Sequence, residues 1–254
     1  MRQIRARATA VILAASVWAA PALSETPYEY FSVGAYEDAA GAADALETAD
    51  GHAFAARALL AEYATADEPA SGELLRRAQA SAEAALALEP DHAEGLMQLA
   101  ISLSMQARPM SVREAMASGN GERARELAEM VLDADPNNYY AHGFLAVWHV
   151  EVRRRGGALG ASVMGASVKK GRAHYERCAY LAPDNASLHW QYGRALIAHN
   201  PEKFGAEALE ALDRALAANT DDHLEATSQA RAALIADLLA SDVRSASERA
   251  AEML

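Results

Sequence analysis

Three short phrases decide how this chain folds: Glu89-Pro90-Asp91-His92, Asp135-Pro136-Asn137-Asn138 and Ala182-Pro183-Asp184-Asn185. Each follows a helical stretch rich in small residues and precedes another, and the prolines fall 46 and 47 residues apart. A proline cannot continue a helix and restrains the residue before it, so each phrase ends one helix cleanly. Asp91, Asn138 and Asn185 then stand where the next helix takes its N-cap. A period of this length predicts an all-α stack of antiparallel helical hairpins, an α-solenoid whose usual work is binding.

Outward from these turns the helices show a repeated spacing. Three first helices read Leu96-x-x-Leu99-Ala100-x-x-Leu103, His142-x-x-Leu145-Ala146-x-x-His149 and His189-x-x-Tyr192-Gly193-x-x-Leu196. Residues at i, i+3, i+4 and i+7 share one face, and the small residue lets a partner helix approach closely. Second helices carry the pairs Ala78 with Ala82, Ala124 with Ala128, Gly171 with Tyr175, and Ala208 with Leu212. Pro90, Pro136 and Pro183 close the first three units, and Thr220 stands in the fourth.

On these residues the chain resembles the tetratricopeptide-repeat family, of an exported bacterial type, over about residues 52–240. The usual Trp is replaced by Leu96, His142 and His189, and Ala82 and Ala128 replace bulky residues. The resemblance implies about four to five hairpins, two of them holding long insertions between their helices. The first insertion, near 107–120, contains the capping box Ser111-x-x-Glu114 and then Gly119-Asn120-Gly121, which reads as a short helix and a turn. The second, near 153–170, is the Gly-rich basic segment from Arg153 to Lys170. Such insertions either line a binding face or simply extend their helix pair.

Residues 1–24 read as a signal peptide: Arg2, Arg5 and Arg7 precede an apolar stretch from Ala8 to Ala20, and cleavage is expected after Ala22 or Ser24. That makes the periplasm the expected destination, with no stable membrane insertion after cleavage. Residues 25–51 form an N-terminal extension with a short helix, in which the stretch up to Gly34 shows few helical signals. Residues 52–240 form the repeat domain, with the loop of its first hairpin at Asp67 to Gly72, and 241–254 a capping helix. The whole chain has 23 basic and 35 acidic residues; without the leader's three arginines the balance falls from −12 to −15. So acidic a chain lacks the cations that nucleic-acid binding needs. Its single cysteine, Cys178, forms no internal disulfide and sits at a packing position.

No catalytic group assembles from the sequence, and no cofactor or metal is expected. Gly160-x-x-x-x-Gly165 lacks the Lys-Ser/Thr of a phosphate-binding loop, and His142 and His149 lie seven apart without a third ligand at metal-site spacing. Two binding surfaces are expected instead. First helices line the inner face of such a stack, which puts Met97, Ile101, Met105, Tyr140, Val147, Trp190 and Arg194 in a concave groove. Arg153, Arg154, Arg155, Lys169, Lys170, Arg172 and Arg177 form a basic patch within 25 residues, opposed by Glu176 alone. That patch either meets an anionic partner or balances acids on adjacent repeats.

The leading expectation is a non-catalytic exported scaffold that grips an envelope protein or peptide segment, with self-association allowed. The alternative follows from a second likeness, to the exported repeat subunits that accompany some tripartite solute transporters. It implies a small anionic ligand held in a central cavity, with the Gly-rich insertion as its lid.

Overall fold

A computed structural model describes residues 26–66 and 71–253; the expected signal peptide, residues 67–70 of the expected loop and Leu254 lie outside the described residues. Within them the chain is all-α. Helix α1 (Pro27–Ser32) and α2 (Tyr36–Asp44) lead into α3 (Ala49–Thr65) and α4 (Gly72–Leu88). Then come α5 (Ala93–Gln106), α6 (Val112–Ser118) and α7 (Asn120–Ala134), followed by α8 (Tyr139–Val163) and α9 (Val168–Leu181). Helices α10 (Ala186–His199), α11 (Pro201–Ala217), α12 (His223–Ser241) and α13 (Val243–Glu252) complete the chain. Five hairpins result: α3 with α4, α5 with α7, α8 with α9, α10 with α11, and α12 with α13.

Small residues set how closely these hairpins pack. Ala78, Ala82, Ala124, Ala128 and Ala208 are fully buried, and so are the leucines beside them, Leu127, Leu145, Leu196 and Leu212. Each such leucine contributes about 1.5–3 kcal/mol through the water it sheds. At Gly171 a β-carbon would stand 2.8 Å from the carbonyl oxygen of Ala146, so α9 can lie this close to α8 only without one. Cys178 is buried in the same hairpin, and burial pushes its thiol up to about 12, which makes it a packing residue rather than a nucleophile.

The turns follow the expected chemistry with one change. Asn138 and Asn185 accept hydrogen bonds from the amides of Ala141 and Leu188 as N-caps of α8 and α10. Before α5 the cap is His92 rather than Asp91: its Nδ1 accepts from the Gly95 amide at 3.1 Å, while its Nε2 meets Asp50 at 2.9 Å. The expected irregular stretch up to Gly34 is also corrected. It holds α1, started by Pro27 and a capping box between Thr26 and Glu29, with Phe31 buried against Tyr36.

Both insertions are helical. The first is α6, capped by Ser111 and ended by Gly119 in the left-handed region at φ 70°. The second extends α8 to 25 residues, with one break at Gly157 (φ 63°, ψ −158°), a backbone conformation essentially restricted to glycine. It therefore lengthens its helix pair and, as shown below, also lines a cavity.

The stack closes on itself. Arg231 of α12 donates to the carbonyls of Ala64 and Ala66 at the end of α3, and the Tyr36 hydroxyl meets His223 Nδ1 at 3.1 Å. Arg108, just past α5, donates to the carbonyls of Ala251 and Met253 at 3.3 and 3.2 Å, and Arg194 to that of Ala250 at 3.1 Å. The last carbonyls of a helix carry partial negative charge, so α13 ends on guanidinium groups that favour it. The first and last hairpins thus meet across the inner face.

Candidate functional site

Closure leaves an internal cavity of about 670 Å³, walled by the inner faces of α3, α5, α8, α10 and α12 and by both insertions. Six of the seven expected groove residues line it: Met97, Ile101, Met105, Tyr140, Val147 and Arg194. Trp190 does not. It is wholly buried in the core among α10, α11 and α13, because it lies one residue off the inner stripe. The groove expected from the sequence is a deep, partly open space with α12 as its fifth wall.

The cavity's middle is apolar, with Met97, Ile101, Phe144 and Val147 among its lining, and its two ends are polar. The ends sit near opposite termini of α5, so about 20 Å separates them at 1.5 Å per residue. At the far end, Glu151 pairs with Arg194 at 3.0 Å and with Arg154 at 2.7 Å. Burial alone would raise the Glu151 carboxyl, but Arg194, then Arg154 and Arg108, hold it down at about 2. Burial, then the neighbouring Arg194, pulls Arg108 down to about 9. Every cation there already has an acceptor: Arg155 donates to the carbonyls of Ala107 and Met110 at 3.0 and 2.6 Å.

The near end is different, and here the starts of α5, α8, α10 and α12 converge. Arg57 projects into it from α3, its guanidinium 5.2 Å from the Phe31 ring, and it makes no hydrogen bond or ion pair among the described residues. Gln98 gives its amide hydrogens to Glu94 at 2.7 Å and to the Tyr140 hydroxyl at 3.4 Å, while its carbonyl oxygen is buried without a partner. Burial, then the charge of Asp222, pushes the Glu225 carboxyl up to about 7. At neutral pH this wall therefore carries less negative charge than its sequence implies; burial opposes the Arg57 charge, but Tyr140, Glu94, Tyr139 and Asp222 nearby hold its guanidinium above the ordinary value without bonding it directly.

Neither Arg57 nor Glu225 was among the candidates. An arginine inside the alanine-rich helix Ala53 to Ala61 reads as a solvated side chain, and only α12 folding across the stack makes it face inward. The basic patch, by contrast, is dispersed. Arg172 pairs with Glu207 across to α11, Arg154 with Glu151, and Arg177 with Asn137, while Lys170 reaches the Gly165 carbonyl. Arg155 lines the central cavity, Lys169 is exposed, and Arg153 faces a separate recess.

His142 and His149, expected to share a side of α8, both approach His174 of α9. His142 and His174 meet Nδ1 to Nδ1 at 2.9 Å, and the His149 and His174 rings stack at 5.7 Å. Burial is the main reason that His149 and His174 are held down at about 4, so both are neutral at pH 7. They serve as packing between the two helices.

A family model described as "Regulator of microtubule dynamics protein 1-3" matches residues 52–239. No curated protein matches the chain. The family finding overturns the resemblance to exported tetratricopeptide-repeat proteins. The small residues that carried that resemblance answer to the packing of any helical hairpin, so they report the architecture and not the family.

Proposed function

The chain belongs to the regulator of microtubule dynamics protein 1-3 family, and from that premise we propose that it is a non-catalytic binding protein. Its central cavity encloses a small, largely apolar ligand with one anionic group. The observation that carries this reading is Arg57: a guanidinium with no hydrogen-bond acceptor among the described residues, at one polar end of a space of about 670 Å³ whose middle is apolar. That volume lies in the range of small-molecule sites, and a few polar groups in an apolar pocket is their usual design. The family's description, which speaks of regulation, supports a binder rather than a catalyst.

An envelope protein or peptide laid along an open groove finds less support, because α12 occupies the place it would take. Protein contact outside the cavity is the second reading. It is favoured by Val112, Met116 and Val163, exposed apolar side chains that the two insertions place at the cavity's lining, and by the exposed Leu159 of α8.

The test is calorimetric titration with a medium-chain alkyl carboxylate, its uncharged alcohol and a short amphipathic peptide. The carboxylate should bind, Ile101→Trp should abolish binding by filling the cavity, and Arg57→Gln should weaken the carboxylate alone by on the order of tenfold. Equal loss for the alcohol would remove Arg57 from the role. Binding of the peptide alone would overturn the enclosed-ligand reading.

A further inference from the structure

A second recess, of about 490 Å³, lies away from the central cavity, between the distal part of α8 and the starts of α9 and α11. Its polar wall holds Arg153, His199, Lys203 and Ser162; its apolar wall holds Phe204 and Val168. No carboxylate lines it. In a chain of net charge −12 this is unusual, since most arginines here end on a carboxylate or a carbonyl. Arg153 makes no hydrogen bond or ion pair among the described residues. The Lys203 ammonium lies 5.1 Å from the Phe204 ring and has no acidic partner among the described residues. Like charges gathered without a counter-ion repel one another, and an anion removes that cost.

We propose that this recess binds the phosphate group of a small molecule, with Arg153 and Lys203 as its counter-charges and the Phe204 side as a seat for an apolar moiety. The guanidinium fork suits a tetrahedral oxyanion, and the ammonium adds a compact second charge. The His199 imidazole stacks on Phe204 at 5.6 Å and supplies a ring nitrogen beside both cations. Burial first, then Arg153 and Arg154, with Lys203 adding to them, hold this imidazole below its ordinary value against the pull of Glu151. A bound anion offsets the share of that effect due to the cations and so raises the imidazole. The starts of α9 and α11 add little, because Ser167 and Asn200 already cap the amides of Lys170 and Lys203. The side-chain cations carry the site.

The break at Gly157 shapes the recess, since it redirects the end of α8 so that Ala158, Ala161 and Ser162 form one wall. The Gly-rich segment thus serves two spaces, one on each side of α8.

The experiment is titration of the full chain with inorganic phosphate and with phenyl phosphate, followed by calorimetry and by NMR of the His199 ring. Phenyl phosphate should bind and shift the His199 titration upward. Arg153→Gln with Lys203→Gln should weaken it by at least tenfold at unchanged helicity, while Lys169→Gln, outside the recess, should leave it unchanged. Equal affinity for inorganic phosphate would keep the anion site and assign it to the free ion. Absence of binding at millimolar concentration, or unchanged affinity in the double variant, would overturn the proposal. Because Arg57 lines the other cavity, Arg57→Gln leaves this titration untouched, which separates the failure of one site from that of the other.

Discussion

Arg194 shows what one residue does in this fold. It is 1% exposed, yet it satisfies Glu151, Gln191 and the Ala250 carbonyl, so it ties α10 to α8 and to the chain's last helix. Breaking a buried pair from one side leaves its partner uncompensated. Arg194→Leu should therefore cost about 3–5 kcal/mol in urea unfolding at pH 7, far more than an exposed arginine. The pH dependence follows from Glu151. Its folded value is depressed to about 2, so its contribution is present above the unfolded carboxylate value and is lost as pH falls from about 4.5 toward 2. The gap between parent and variant should narrow across that window; a constant gap would mean that the arginine acts through packing alone.

At the scale of the element, hairpin spacing is written in small residues, but not all glycines are spacing devices. Gly171→Ala places a β-carbon 2.8 Å from the backbone oxygen of Ala146, which no side-chain rotation relieves. Helices α8 and α9 must separate, and the thermal midpoint should fall by an amount equivalent to about 1–3 kcal/mol. Gly41, in the exposed part of α2, has nothing within 4 Å of that position. Gly41→Ala should instead stabilise by about 0.4–1 kcal/mol, because it restrains the unfolded chain. Destabilisation by both would show that backbone freedom, not spacing, is what the glycines provide. Gly171 was legible from its place in the repeated pair with Tyr175. The break at Gly157 was not, because a Gly-Gly pair in a long insertion fits a loop as well as a kinked helix.

Over the whole molecule the decisive event is closure. Arg231 links α12 to the end of α3 across 167 residues of sequence, by charge-assisted bonds to carbonyls that α3 leaves unsatisfied at its C-terminus. Arg231→Ala should accelerate hydrogen exchange in α3 and α12 by about tenfold or more while α8 to α11 keep their protection. It should also weaken ligand retention in the central cavity. Unchanged exchange in α3 would show that the ring is held by packing of Tyr36 and Phe31 rather than by the arginine.

The sequence by itself determined the architecture: an all-α stack of hairpins, where most helices stop, and which faces bury. Those depend on residues within a few positions of one another, namely a proline, a cap, and a small residue at fixed helical spacing. Six of the seven residues it assigned to the inner face do line the cavity, because that face follows from counting along a helix. Only the tertiary structure decided that α12 lies across the face, that Trp190 belongs to the core, that Arg57 points inward, and that Arg153 parts company with its neighbours. Each of these depends on where distant helices lie. A charge's partner is set by distance in space, and local pattern carries no record of it.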